Sequence, residues 1–313
     1  MKPMKHRIRG TVYQIDYFSN GKLQDLLTTG DSLYLIDRNG KDVDHYPVAF
    51  GDSLPAEWLN VVDYDNSRRY RFIMADSTGR IYMYDKSGKT LDGWNGLDVK
   101  GPLIQAPFHL RVHGRDCIVV VRRNGEINVL NRQGIPYAGF PVNPGPINGP
   151  VFVQPGPDFT GTLIFDITSD GVIQQVNLEG RIISKTQLYR PDKNSFFQIV
   201  PNLTRDNFII ARQDYNRVSL ILRTGEALFD EDLLFSGRLK VQYFSFGVNN
   251  DIFAFTDEQQ EFTYLYNRDG KLINNQPLES AFEISLTYSE SASRYKVYSC
   301  YGNQFRISSF FRQ

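Results

Sequence analysis

The residues best suited to chemistry are few. FHLRVHG, residues 108–114, places His109 and His113 four apart, a spacing that would suit a shared metal on a helix. On a strand, at about 3.3 Å per residue, the two imidazoles would lie roughly 13 Å apart and could not share an ion. His109 and Arg111 would instead project from an inner strand, with a polar channel wall as the commoner role and a ligand contact as the functional one. In VDYDNSRRYR, residues 62–71, Asp63 and Asp65 precede Asn66 as in calcium loops. A hard cation wants several oxygen ligands, and Ser67, Arg68 and Arg69 follow where further acids would be needed. A solvated turn is the better reading, and calcium on Asp63 and Asp65 the minor alternative. No nucleophile elbow, HExxH motif or phosphate-binding loop occurs. Carboxylates are plentiful, but no spacing in one dimension shows whether two converge as a glycosidase pair must.

These residues sit on a regular frame. LYLIDRNG, IYMYDKSG, INVLNRQG, IQQVNLEG, VSLILRTG and TYLYNRDG end at Gly40, Gly88, Gly134, Gly180, Gly225 and Gly270, spaced 48, 46, 46, 45 and 45 residues apart. Asp or Asn can cap amides ahead in such a turn and glycine accepts positive φ, while Leu222 breaks the pattern and predicts a looser turn. A second glycine, at Gly30, Gly79, Gly125 and Gly171, precedes the first four turns by 9 or 10 residues. Each repeat is therefore two hairpins sharing a strand, and blade two reads as strands near 59–64, 70–75, 80–85 and 90–94. A four-stranded sheet buries both faces only by packing against neighbours, so the period predicts an all-β chain folded as a β-propeller.

Only six complete turns exist, and three further strands follow near 282–288, 294–300 and 304–310. HRIRG, residues 6–10, could supply their fourth. The expected fold is a seven-bladed propeller of four-stranded antiparallel blades, one domain over residues 1–313, with the last blade closed by the N-terminal strand. Six blades is the alternative. The proline-rich stretch 136–159 reads as a rigid connector between blades three and four rather than a lid. Cys117 and Cys300 fall in different blades, cannot form a disulfide, and read as small buried hydrophobes.

Composition narrows the function. Lys+Arg and Asp+Glu both number 35, so no net field gathers nucleic acid or anionic lipid. Phe (22) and Tyr (18) concentrate in short runs with Val and Ile, as strands require. No apolar run is long enough to span a membrane, and the basic start leads into TVYQIDYFSN without a signal core. The compartment stays open: cytoplasmic as the chain reads, periplasmic or cell-envelope if a leader has been removed. The expected state is a monomer.

YDKSGKTLDGW (84–94) and LIDRNGK (35–41) resemble the repeats of the PQQ-like, or quinoprotein-dehydrogenase-like, propellers over all six complete repeats. The chain also looks like the C-terminal propeller of a family of uncharacterised bacterial proteins, through VYQIDYFSNGKLQ (12–24), YLIDRNGKDV (34–43) and the stretch from VDYDNSRRYRFIMA (62–75) to GW (93–94). Quinoprotein enzymes stack a tryptophan in nearly every blade, whereas only Trp58 and Trp94 exist here, so PQQ is not expected. The leading expectation is a non-catalytic propeller that binds a protein, small molecule or carbohydrate, or serves as a scaffold in a longer bacterial envelope protein. An enzyme with a channel-mouth site, a divergent quinoprotein or carbohydrate-active propeller, is the alternative. Blade topology puts the DRNG-type turns and the DNSRR loop on one face and the interblade and Gly79-type loops on the other. Ligands more often meet the second, which selects Trp58, Trp94, His109, Arg111, Asp76 and Asp170 as candidate contacts.

Overall fold

The computed structural model describes residue 4 and residues 6–50, 55–188, 194–235 and 237–312. The second strand of each repeat explains the architecture. Arg115–Val121 and Asp251–Asp257 are buried along nearly their whole length. A strand covered on both faces reads as a continuous apolar run, because neither pleat direction meets water. The fourth strands, such as Ile182–Gln187 and Ala227–Asp232, are largely exposed and carry the polar residues.

The chain is a seven-bladed β-propeller of antiparallel blades with no α-helix among the described residues. Blade one is Arg9–Ile15, Gln24–Thr28, Ser32–Ile36 and Val48–Ala49, and blade two is Ala56–Val62, Arg71–Asp76, Arg80–Asp85 and Thr90–Asp98, close to the ranges expected from sequence. Blade three has Phe108–Val112, Arg115–Val121 and Ile127–Leu130, and blade four runs from Phe152–Gln154 to Ile182–Gln187. Blade five spans Phe196–Asp232, blade six Lys240–Glu279, and blade seven Ser285–Ser289, Arg294–Tyr301 and Gln304–Phe311.

Two compact units divide the chain: residues 1–147, 153–165 and 174–185, and residues 148–152, 166–173 and 186–313. In the first, Leu26, Leu35, Leu59, Phe72 and Met74 form the core between blades one and two, and Ile73, Met83, Trp94, Ile118 and Val120 that between blades two and three. In the second, Leu220, Tyr243, Phe253 and Phe255 pack blade five on blade six, and Phe244, Leu265, Tyr295 and Val297 pack blade six on blade seven.

Three expectations are corrected. HRIRG does not complete the last blade: Arg9 pairs with Thr28 inside blade one, and Gln304–Phe311 pairs with Arg294–Tyr301 as its strand partner among the described residues. The reason is continuity, since Arg9 and Gly10 run straight into TVYQI, and the Tyr13 hydroxyl donates to the Leu59 carbonyl at 2.9 Å, tying that strand to blade two. The proline-rich stretch is more than a connector. Val142 bridges Ile127 and Pro136 bridges Leu130, which puts its start where blade three needs a fourth strand, and Phe152–Gln154 opens blade four. Cys300 is exposed, although both cysteines are free and Cys117 is buried.

The capped turns form as their letters require. Asp37 accepts the amides of Asn39 and Lys41, Asp85 those of Ser87 and Lys89, and Asn131 those of Gln133 and Ile135. At Leu222 the backbone bonds of the turn survive without that cap. Gly125 has a steric reason beyond its φ of 87°: a Cβ there would meet the Gly145 carbonyl oxygen at 1.7 Å.

Candidate functional site

One cluster joins blades two and three at the face of the capped turns. Tyr64 and Asp65 follow strand Ala56–Val62, His109 and Arg111 lie on the first strand of blade three, Asp116 is the second residue of the next strand, and Arg132 occupies the Asn131–Gly134 turn. Antiparallel pairing sets Asp116 against Arg111, and the turn places Arg132 beside them.

Asp116 is the hub. Its side chain is 6% exposed, and it receives Arg132 Nε at 2.6 Å, meets His109 Nε2 at 2.8 Å and stands 3.6 Å from Arg111 Nη1. The outer carboxylate, Asp65, accepts Arg111 at 2.7 Å and Arg132 at 3.2 Å, and Arg111 also donates to the Tyr64 carbonyl at 3.0 Å. Two guanidinium groups thus alternate with two carboxylates. Arg132 lies 4.4 Å from the Tyr64 ring centre, and Tyr64 meets the His109 ring edge-on at 4.9 Å.

Electrostatics follow from this packing. Burial outweighs the Asp116 contact at His109 and lowers its pKa, keeping the imidazole neutral at neutral pH. The Arg111 hydrogen bond, with Arg132 beside it, holds the Asp65 carboxyl below the usual carboxylate range. Burial pushes the Tyr64 phenol up to about 12 and the Cys117 thiol up to about 11, so neither supplies an anion at neutral pH. The arrangement is a rigid, self-neutralised array with exposed guanidinium edges, suited to polar recognition.

The expected contacts do not form one site. His109 and Arg111 join the cluster, together with Asp65. Trp94 is fully buried, offers no surface, and donates from its indole to the Arg132 carbonyl at 2.7 Å, so it holds the turn that carries Arg132. Trp58 is half-buried and packs against the core between blades two and three. Asp76 is buried and caps its own turn, accepting Thr78 and Arg80 amides at 2.8 and 3.0 Å. Asp170 is an exposed turn residue of blade four whose carbonyl accepts Gln187 at 2.7 Å. His113 sits at φ 48° in the exposed turn beyond Arg111.

Calcium does not fit Asp63 and Asp65. The Asp63 oxygens accept the Ser67 and Arg68 amides at 3.0 and 2.8 Å, and Asp65 is engaged by two guanidinium groups, which repel a cation. Among the described residues no group of three or more His, Cys, Asp or Glu could hold a metal. Both tryptophans belong to one interblade core, Trp94 within it and Trp58 packed against it.

Sequence reading missed Asp116 and Arg132, though a signal existed. Asp65 and Arg111 are 46 residues apart, the repeat period, yet Asp65 lies in the loop beyond strand Ala56–Val62 and Arg111 within strand Phe108–Val112, so the spacing marks only that successive blades can meet.

No family profile and no curated protein sequence matches the chain. Among solved structures it is similar to BamB from Moraxella catarrhalis, with 17% identity, 98% of this chain and 86% of that chain covered and a TM-score of 0.57. BBS1N, solved in complex with ARL6DN and soaked with lead, gives 15% identity, coverage of 94% and 89% and a TM-score of 0.55. A catalytically inactive virginiamycin B lyase from Staphylococcus aureus with quinupristin gives 12%, 98% and 94%, and 0.54. At these identities the likeness establishes the propeller fold alone.

Proposed function

We propose that this protein is a non-catalytic recognition propeller that binds a protein partner through the turn face of blades two and three. The observation that carries the reading is the array of Arg111, Arg132 and Asp65 anchored on buried Asp116. Its charges are fixed in place before any partner arrives, so little ordering is required on binding. BBS1N in its complex with ARL6DN supplies a propeller precedent for protein binding. A place within a longer bacterial envelope protein is part of the same proposal and rests on the sequence resemblance.

A catalytic reading has one observation in its favour, the His109–Asp116 contact. It is the weaker reading because Arg132 and Arg111 share the same carboxylate and burial lowers the basicity of the imidazole. A photo-crosslinking residue at exposed Arg69, beside the array, or at exposed Ser77, on the opposite loops, separates the faces in cells of the source organism. The expected result is one discrete adduct from position 69 that is lost when Arg111→Ala is added. No adduct from position 69, or one indifferent to Arg111→Ala, overturns the proposal.

A further inference from the structure

A second polar concavity lies within the other unit, where the turn face of blade six meets blade seven. It is a cleft of about 410 Å³, with Asn249, Asn267, Arg268, Asp269, Phe311 and Arg312 on its walls. That volume falls within the roughly 300–1,000 Å³ usual for small-molecule sites. It repeats the device of blade three: Arg268, second in its capped turn, donates to Asp251 at 2.6 Å, and buried Asp251 opens the second strand of its blade.

The difference lies in what remains unspent. Arg268 is neutralised by Asp251, whose other oxygen accepts the Tyr243 hydroxyl at 3.3 Å. Arg312 donates to the Asn249 carbonyl at 3.0 Å and, among the described residues, pairs with no carboxylate. Asp269 is exposed, with its backbone amide donated to Asn267. The cleft therefore presents one guanidinium fork and one carboxylate, each without an ionic partner among the described residues, between two asparagine side chains. Tyr295 and Phe310 are buried and stacked on each other at 5.0 Å, while Phe311, the next residue along the strand and 60% exposed, alternates to the other face and carries the Arg294 guanidinium over its ring at 4.5 Å.

We infer that this cleft binds a sugar acid, a single carboxylate carried on a hydroxylated ring. The Arg312 fork matches a carboxylate in two parallel hydrogen bonds. Asp269 accepts only, so it calls for hydroxyl donors; the Asn249 amide can donate to and accept from a hydroxyl, and Asn267, whose Oδ1 accepts the Asp269 and Lys271 amides, can donate from its NH2. A phosphate dianion would meet two carboxylates with too little compensating charge, and a flat aromatic acid would leave the Asp269 and asparagine groups without partners.

Calorimetry and saturation-transfer NMR on the whole protein test this with D-galacturonate, D-glucuronate, D-galactose, D-glucose and L-phenylalanine as probes. At least one uronate should bind, about tenfold or more tighter than its neutral counterpart, and Arg312→Gln should remove that advantage. Asp269→Asn, at an exposed position, should weaken the uronate while keeping its preference over the neutral sugar, and carries the test if Arg312→Gln does not fold. Absence of uronate binding, equal binding of the neutral sugar, an unchanged affinity in Arg312→Gln, or preference for phenylalanine overturns the inference.

Discussion

Asp116 shows how one residue decides what the blade-three cluster can do. Its carboxylate fixes His109, Arg132 and Arg111 together, and the imidazole it holds is kept neutral by burial. A histidine whose folded pKa lies below its unfolded value of about 6.5 binds more protons unfolded than folded. Its contribution to stability is present above that value and is lost as pH falls through it. The melting temperature of the wild type should fall from pH 7.5 to 5.5 by more than that of His109→Gln, and equal falls would show that the imidazole titrates alike in both states. Glycines divide by a different local cause. Gly40 has a φ of 77° and open space around it, so Gly40→Ala should cost about 1–2 kcal/mol from backbone strain alone. Gly125→Ala adds a clash with the Gly145 carbonyl and should cost several times more by urea denaturation. Similar midpoints for the two would remove the steric account of the inner turn glycine.

At the scale of the strand and blade, the repeat was readable because every element follows from local letters. Capped turns end strands at fixed intervals, and doubly covered strands read as apolar runs. What escaped was pairing between repeats: Asp65 with Arg111 and Arg132 lies 46 and 67 residues away in sequence, and nothing local to Asp65 marks it as a partner. Trp94 was misjudged for the same reason, since its acceptor, the Arg132 carbonyl, belongs to the next blade. The last blade was misjudged because alternation in HRIRG says that it can be a strand without saying beside which. The structure leaves Gln304–Phe311 with Phe305, Ile307 and Phe311 at 65, 61 and 60% exposure. An exposed edge bearing such side chains is prone to strand-to-strand association. Ile307→Lys should slow aggregation on heating, followed by light scattering, while changing stability by no more than about 0.5 kcal/mol. A large loss of stability would mean that Ile307 is covered in solution.

Within each compact unit, neighbouring blades share their cores: blades one, two and three in the first, blades five, six and seven in the second. A propeller sheet cannot open far without exposing the cores on both of its faces. The two free thiols sample this from different units. Cys117 is fully buried on the second strand of blade three, and burial raises its thiol pKa to about 11, so it is neither accessible nor ionised in the native state. Cys300 is exposed on the second strand of blade seven. A thiol reagent should therefore label one cysteine of the native protein promptly and the second only through opening. If blade three opens with its neighbours, labelling of Cys117 should accelerate steeply with urea below the unfolding midpoint, since the exposed area sets the slope. Mass spectrometry of peptides identifies which cysteine reacts and when. Prompt labelling of both, or a Cys117 rate independent of urea, would show that blade three opens by itself, and the shared-core account of its stability would fail.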